Sequence, residues 1–166
     1  MADMWTQGSF AIRCSAAEAA LLTEAINAAH DICAALDRDP PGADLLAAFP
    51  PSDPGDPWSG FIQAFPDPVF PCVGGDFWSE ALPDEPGYCA VSFASMDDFD
   101  PAAVAMLIQR CCVETLRAGP VGFEWAATCS KPRIGEFGGG WCAVFADRIE
   151  IETTGEALSQ ALDGGI

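Results

Sequence analysis

Apolar and polar positions alternate from Val121 to Cys129. Val121, Phe123, Trp125, Ala127 and Cys129 fall on one side; Gly122, Glu124, Ala126 and Thr128 fall on the other. A period of two predicts a half-buried strand. Tyr88–Ala94 repeats the pattern, with Cys89, Val91 and Phe93 on one face, and Trp5–Arg13 forms a first strand through Trp5, Phe10 and Ile12. Trp141–Ala146 is an almost unbroken apolar run. A tight turn at Asp147-Arg148 joins it to the alternating Ile149–Glu152, predicting a terminal hairpin.

Elsewhere the period is helical. Ser15-Ala16-Ala17-Glu18 matches a capping box, in which serine oxygen and glutamate each satisfy a free backbone donor. Leu22, Ile26, Ala29, Cys33 and Leu36 follow at helical spacing. Asp100 caps a second helix with Pro101 at its first position; Val104, Leu107, Ile108, Cys111, Cys112 and Leu116 form its stripe, and Gly119-Pro120 ends it. Thr153-Thr154-Gly155-Glu156 caps a short final helix carrying Ala157, Leu158, Ala161 and Leu162. The tail Gly164-Gly165-Ile166 is expected to fray.

Between 37 and 87 both periods fade, and eleven of the fourteen prolines lie there. Proline lacks the donor that a central strand needs and breaks helix interiors. An irregular insertion is expected, with one or two helical turns at Asp44–Phe49, pinned to the core by Phe49, Trp58, Phe61, Phe65, Phe70, Phe77 and Trp78. The predicted fold is one α+β domain over 1–166. It has a mixed or antiparallel sheet of about five strands, two main helices on one face, the Pro/Asp-rich insertion and the short C-terminal helix.

Charge changes the picture more than length does. The formal net charge is −18. Such an excess disfavours direct nucleic-acid binding and attachment to anionic membranes, and it favours a basic protein partner. Thirteen carboxylates lie between Asp37 and Asp100, against Arg38 alone. One reading is a solvated loop face; the other is a negative surface with exposed aromatics. The candidate partner-binding residues are Asp53, Asp56, Trp58, Asp67, Asp76, Trp78, Asp84, Glu85, Asp97 and Asp98. The oligomeric state is left open.

Eight cysteines sit mostly in apolar strand and helix patterns, without a C-x-x-C. No leader-like basic and apolar segment precedes them, so reduced thiols in a cytoplasm are expected. With a single histidine, His30, neither a metal site nor a cofactor is expected.

Catalytic patterns are incomplete. Gly138-Gly139-Gly140 opens a strand rather than a helix and lacks a following G-K-[ST], unlike a phosphate loop. Thr128-Cys129-Ser130-Lys131 places a thiol near the only lysine but supplies no base. The expectation is a non-catalytic protein. A small enzyme using the Thr128–Lys131 corner and a structural or assembly domain are the alternatives.

The segment GFEWAATCSKPRIGEFGGGW, Gly122–Trp141, resembles uncharacterised proteins of phages and mobile elements that carry a similar stretch before a terminal hairpin. The resemblance covers about the last third of the chain and implies no particular function. In size and acidity the chain also resembles anti-CRISPR proteins. That likeness implies an inhibitor that occupies a basic nucleic-acid-binding surface of a host defence complex.

Overall fold

A computed structural model of the chain describes residues 2–164; Gly165 and Ile166, the end of the expected frayed tail, lie outside the described residues. The elements run β1 (Met4–Ser15), α1 (Ala16–Cys33), α2 (Ala43–Ala48), α3 (Ser59–Ala64), β2 (Asp76–Ala81), β3 (Tyr88–Ser95), α4 (Pro101–Cys111), α5 (Val113–Ala118), β4 (Val121–Cys129), β5 (Gly138–Val144), β6 (Ile149–Thr153) and α6 (Thr154–Asp163). The fold is α+β. Its six strands form one sheet in the order β2-β3-β1-β4-β5-β6, and every adjacent pair is antiparallel.

The predicted caps form. Ser15 Oγ accepts from Glu18 N while the Glu18 carboxylate accepts from Ser15 N, closing the box at the start of α1. Asp100 accepts from Ala102 N and Ala103 N, both at 3.0 Å, with Pro101 in the first turn of α4. Thr153 and Glu156 close a second capping box at α6. The second predicted helix is interrupted at Cys112, whose backbone (φ −110°, ψ 47°) is not helical, so α4 and α5 are separate.

The sheet has six strands, where about five were expected. The additional one, β2, reads Asp-Phe-Trp-Ser-Glu-Ala and is an edge strand with β3 as its single neighbour. Only Phe77 within it is even half-buried, so no apolar alternation marks it in the sequence.

One face of the sheet carries the core. Phe10 on β1 lies between Phe93 on β3 (ring centroids 4.9 Å apart) and Phe123 on β4 (4.2 Å), stacked with both. The ladder between β1 and β4 spans only Met4–Gln7 against Ala126–Cys129; beyond Gln7 the strands diverge and these rings fill the fork. Helices α1 and α4 lie on this face. Ala103–Ile108 of α4 are all buried, so α4 is covered on every side, as a helix apolar all round must be.

The insertion supplies part of that cover. Phe61 is 1% exposed and meets Phe49, Phe65 and Trp58 edge-on, at centroid distances of 5.0, 5.2 and 5.8 Å. These four aromatics thus turn inward and make a core lobe, and Phe77 packs partly against the core, whereas Phe70 at 64% exposed and Trp78 at 45% do not anchor the insertion as expected.

Two of the cysteines correct the expectation of reduced thiols throughout. Cys33 at the end of α1 is bridged to Cys72, with Cα atoms 5.9 Å apart, while the other six thiols are free. The bridge joins the two ends of the insertion's first part. Beyond it, Gly74 (φ 71°) and Gly75 (φ 78°) lead into β2. A Cβ on Gly74 would stand 1.9 Å from the Asp98 carbonyl oxygen, so only glycine allows this close crossing.

Candidate functional site

The opposite face of the sheet is uncovered. Its floor is made of small residues: Ala90, Ser92 and Ala94 on β3, Ser9 and Ala11 on β1, Gly122 and Ala126 on β4. Alternation dictates this. The residues paired in register between them, Phe10 with Phe93 and Ile12 with Val91, point into the core.

A tryptophan stands on each wing of that floor. Trp78 on β2 pairs with Ser92 and is 45% exposed; Trp141 on β5 is 39% exposed. Carboxylates surround both. Trp141 lies in register between Glu124 on β4 and Glu152 on β6. Asp76 and Glu80 flank Trp78 along β2, on the same side of the strand. Glu150 lies on β6 opposite Ala143. The one basic side chain contributed to this face by a strand is Arg13, which is already engaged: its Nε donates to Glu85 at 2.6 Å and its guanidinium lies 3.7 Å from the Tyr88 ring centre. A shallow cavity of about 520 Å³ opens where β1 and β4 diverge, lined in part by Ser9, Ala94, Glu124 and Ala126.

The ten sequence-chosen residues divide among five places, the last being the core, which holds Trp58. Asp76 and Trp78 belong to the uncovered face. Asp97 and Asp98, with Asp76, line a cleft of about 490 Å³ beside His30 and the Cys33–Cys72 bridge. Asp98 is also a structural group there: its Oδ1 accepts from Gly75 N at 3.0 Å and from Ser95 Oγ at 3.2 Å. Asp84 and Glu85 lie in the hairpin between β2 and β3, where Glu85 pairs with Arg13.

The fourth group serves local turns. Asp53 accepts from Gly55 N, Asp56 from Trp58 N and Asp67 from Val69 N, each through its carboxylate. Short acids satisfying a donor two residues on are turn-makers. Trp58 itself is a correction. It is 8% exposed, packs on Phe61 and lies 5.1 Å beneath the Arg38 guanidinium, so it is a core residue and not an accessible anchor. Trp141 was missed because its strand reads as an unbroken apolar run, and Glu124, Glu150 and Glu152 because their alternating strands lie outside the acid-rich insertion. The signal available was parity, opposite to Phe123 for Glu124, to Cys142 for Trp141 and to Ile149 and Ile151 for Glu150 and Glu152.

The Thr128–Lys131 corner has one defined contact. Cys129 Sγ lies 2.9 Å from Glu136 Oε2 and donates to it. That hydrogen bond to a carboxylate pushes the thiol pKa up, outweighing the backbone donor of Lys131, and a thiol held protonated is a poor nucleophile. Arg133 faces the same Glu136 at 3.5 Å. Among the described residues, no three His, Cys, Asp or Glu side chains form a group able to hold a metal ion. No described helix is long and apolar enough to cross a membrane.

Fold and surface together define an acidic two-layer α+β protein with one bare sheet face. No protein-family model, no curated protein and no solved structure matches the chain.

Proposed function

We propose that this chain is a non-catalytic acidic binding protein whose uncovered sheet face docks on a basic surface of a protein partner. The observation that supports it is the juxtaposition on that face of two exposed tryptophans with Asp76, Glu80, Glu124, Glu150 and Glu152. Exposed indole beside carboxylate suits lysine and arginine twice over, by cation–π attraction and by ion pairing. The small-residue floor lets a partner backbone approach closely. A surface evolved to hold nucleic acid has the required charge, so the chain acts in its place, as an inhibitor of the anti-CRISPR type carried by a phage or mobile element. Its setting in that reading is the bacterial cytoplasm, on a defence complex, a compartment in which a disulfide such as Cys33–Cys72 is uncommon.

The test is capture from a bacterial lysate with the native chain and with a W78A/W141A variant. A nucleic-acid-binding protein should be retained by the native chain, released as salt shortens the Debye length to about 3 Å at 1 M, and lost with the variant. Equal capture by both chains, or capture indifferent to salt, overturns the proposal.

A further inference from the structure

Strand β2 leaves one edge of the sheet open. Leu82 N donates to Tyr88 O at 3.0 Å, and by alternation Asp76, Trp78 and Glu80 turn their backbone groups toward β3 in the same way. The N–H and C=O groups of Phe77, Ser79 and Ala81 therefore face outward, and no described residue bonds to them. The strand pairs with β3 without a bulge and holds neither proline nor lysine, so it lacks devices that commonly close an edge.

Its side chains select what can pair there. Asp76, Trp78 and Glu80 share the uncovered face, and residues of an added strand lying opposite them would project onto that same face. Neither Asp76 nor Glu80 has an ion-pair partner among the described residues. Arg13, in register with Glu80 beyond Ala90, is held by Glu85. The far edge differs, because Glu150 of β6 is already paired with Arg148 at 2.7 Å. A second copy laid antiparallel about Trp78 would set Asp76 opposite Glu80 on both sides, and each chain has a net charge of −18.

We infer that β2 is a pairing edge, to which an extended basic segment of the partner protein adds as a further strand. Outward backbone groups of Phe77, Ser79 and Ala81 hold its main chain, while lysines or arginines at alternate positions lie beside Asp76, Trp78 and Glu80. This rests on the sheet-face reading and names how the partner is held.

The probe is a synthetic peptide of alternating lysine and threonine, beside a twin with glutamates in place of lysines. The lysine peptide should slow hydrogen exchange of the Phe77, Ser79 and Ala81 amides, and the glutamate twin should not. D76K/E80K changes two exposed side chains. It should weaken the lysine peptide about tenfold and let the glutamate twin bind, with the circular dichroism unchanged. Two further peptides carry N-methyl groups on the threonines or on the lysines, each blocking one edge of the peptide; one should lose binding and the other keep it. Binding of the lysine peptide that leaves those three amides unprotected, or that both methylated peptides retain equally, overturns the pairing edge and leaves the sheet-face reading standing. Failure of the lysine peptide to bind overturns the inference whatever the lysate capture shows. So does a dimer of the chain alone that protects the same amides, because the occupant would then be a second copy.

Discussion

Glu18 caps a helix that is not its own. Thr115, 97 residues further on, donates its backbone N–H to Glu18 Oε1 at 2.9 Å and its hydroxyl to Oε2 at 2.7 Å. Thr115 lies in the first turn of α5, whose own cap residue, Cys112, makes no side-chain capping hydrogen bond. One carboxylate, 8% exposed, thus closes the capping box of α1 and satisfies an open donor of α5.

Removing that carboxylate should release both helix ends together. Glu18→Ala is expected to cost about 2–4 kcal/mol, since two caps and a buried donor's partner are lost at once. Thr115→Val, which removes only the hydroxyl's bond, should cost about 1 kcal/mol. Denaturant unfolding measures both; equal losses would show that the contact between helices carries little.

The same group makes stability sensitive to acid. Burial by itself raises the Glu18 pKa, but the hydrogen bonds from Thr115 and Ser15 outweigh it and hold the carboxyl below its ordinary value. A carboxyl depressed in the folded state contributes fully above its unfolded value of about 4.3, and the contribution fades as pH falls through the folded value. Glu18→Gln should therefore lower stability at neutral pH and flatten its fall below about pH 4. Parallel curves for the two proteins would remove Glu18 from the acid response.

The Cys33–Cys72 bridge closes a loop with a sequence separation of 39. In the chain-entropy account, C33S/C72S should cost about 3–4 kcal/mol. Alkylation of the unfolded, unreduced protein should modify six cysteines, with reduction exposing the remaining two. Modification of all eight before reduction would show the thiols apart.

Phe61 and Trp78 should respond oppositely to truncation. Phe61→Ala empties the centre of the aromatic lobe and should cost about 3–5 kcal/mol. Trp78→Ala, at a site 45% exposed, should stay near 0.5 kcal/mol or less. Thermal unfolding compares them; a comparable loss at Trp78 would mean that the uncovered face is part of the core.

What was readable from residue order alone is local. The helix starts at Ser15, Asp100 and Thr153 are legible because each cap closes within three residues. The strands at 88–95, 121–129 and 149–153 are legible because a half-buried strand imprints its period on its own sequence. Only the tertiary structure decided the rest. Trp58 and Trp78 look alike in the chain, yet one is sealed beneath Arg38 and the other stands on a bare sheet. Cys33 found Cys72, Glu18 found Thr115, and Trp141 came to lie between Glu124 and Glu152. The physical reason is range: a cap or a strand period is a property of neighbours, whereas burial and pairing depend on which distant segment arrives opposite, and that is settled by packing of the whole chain.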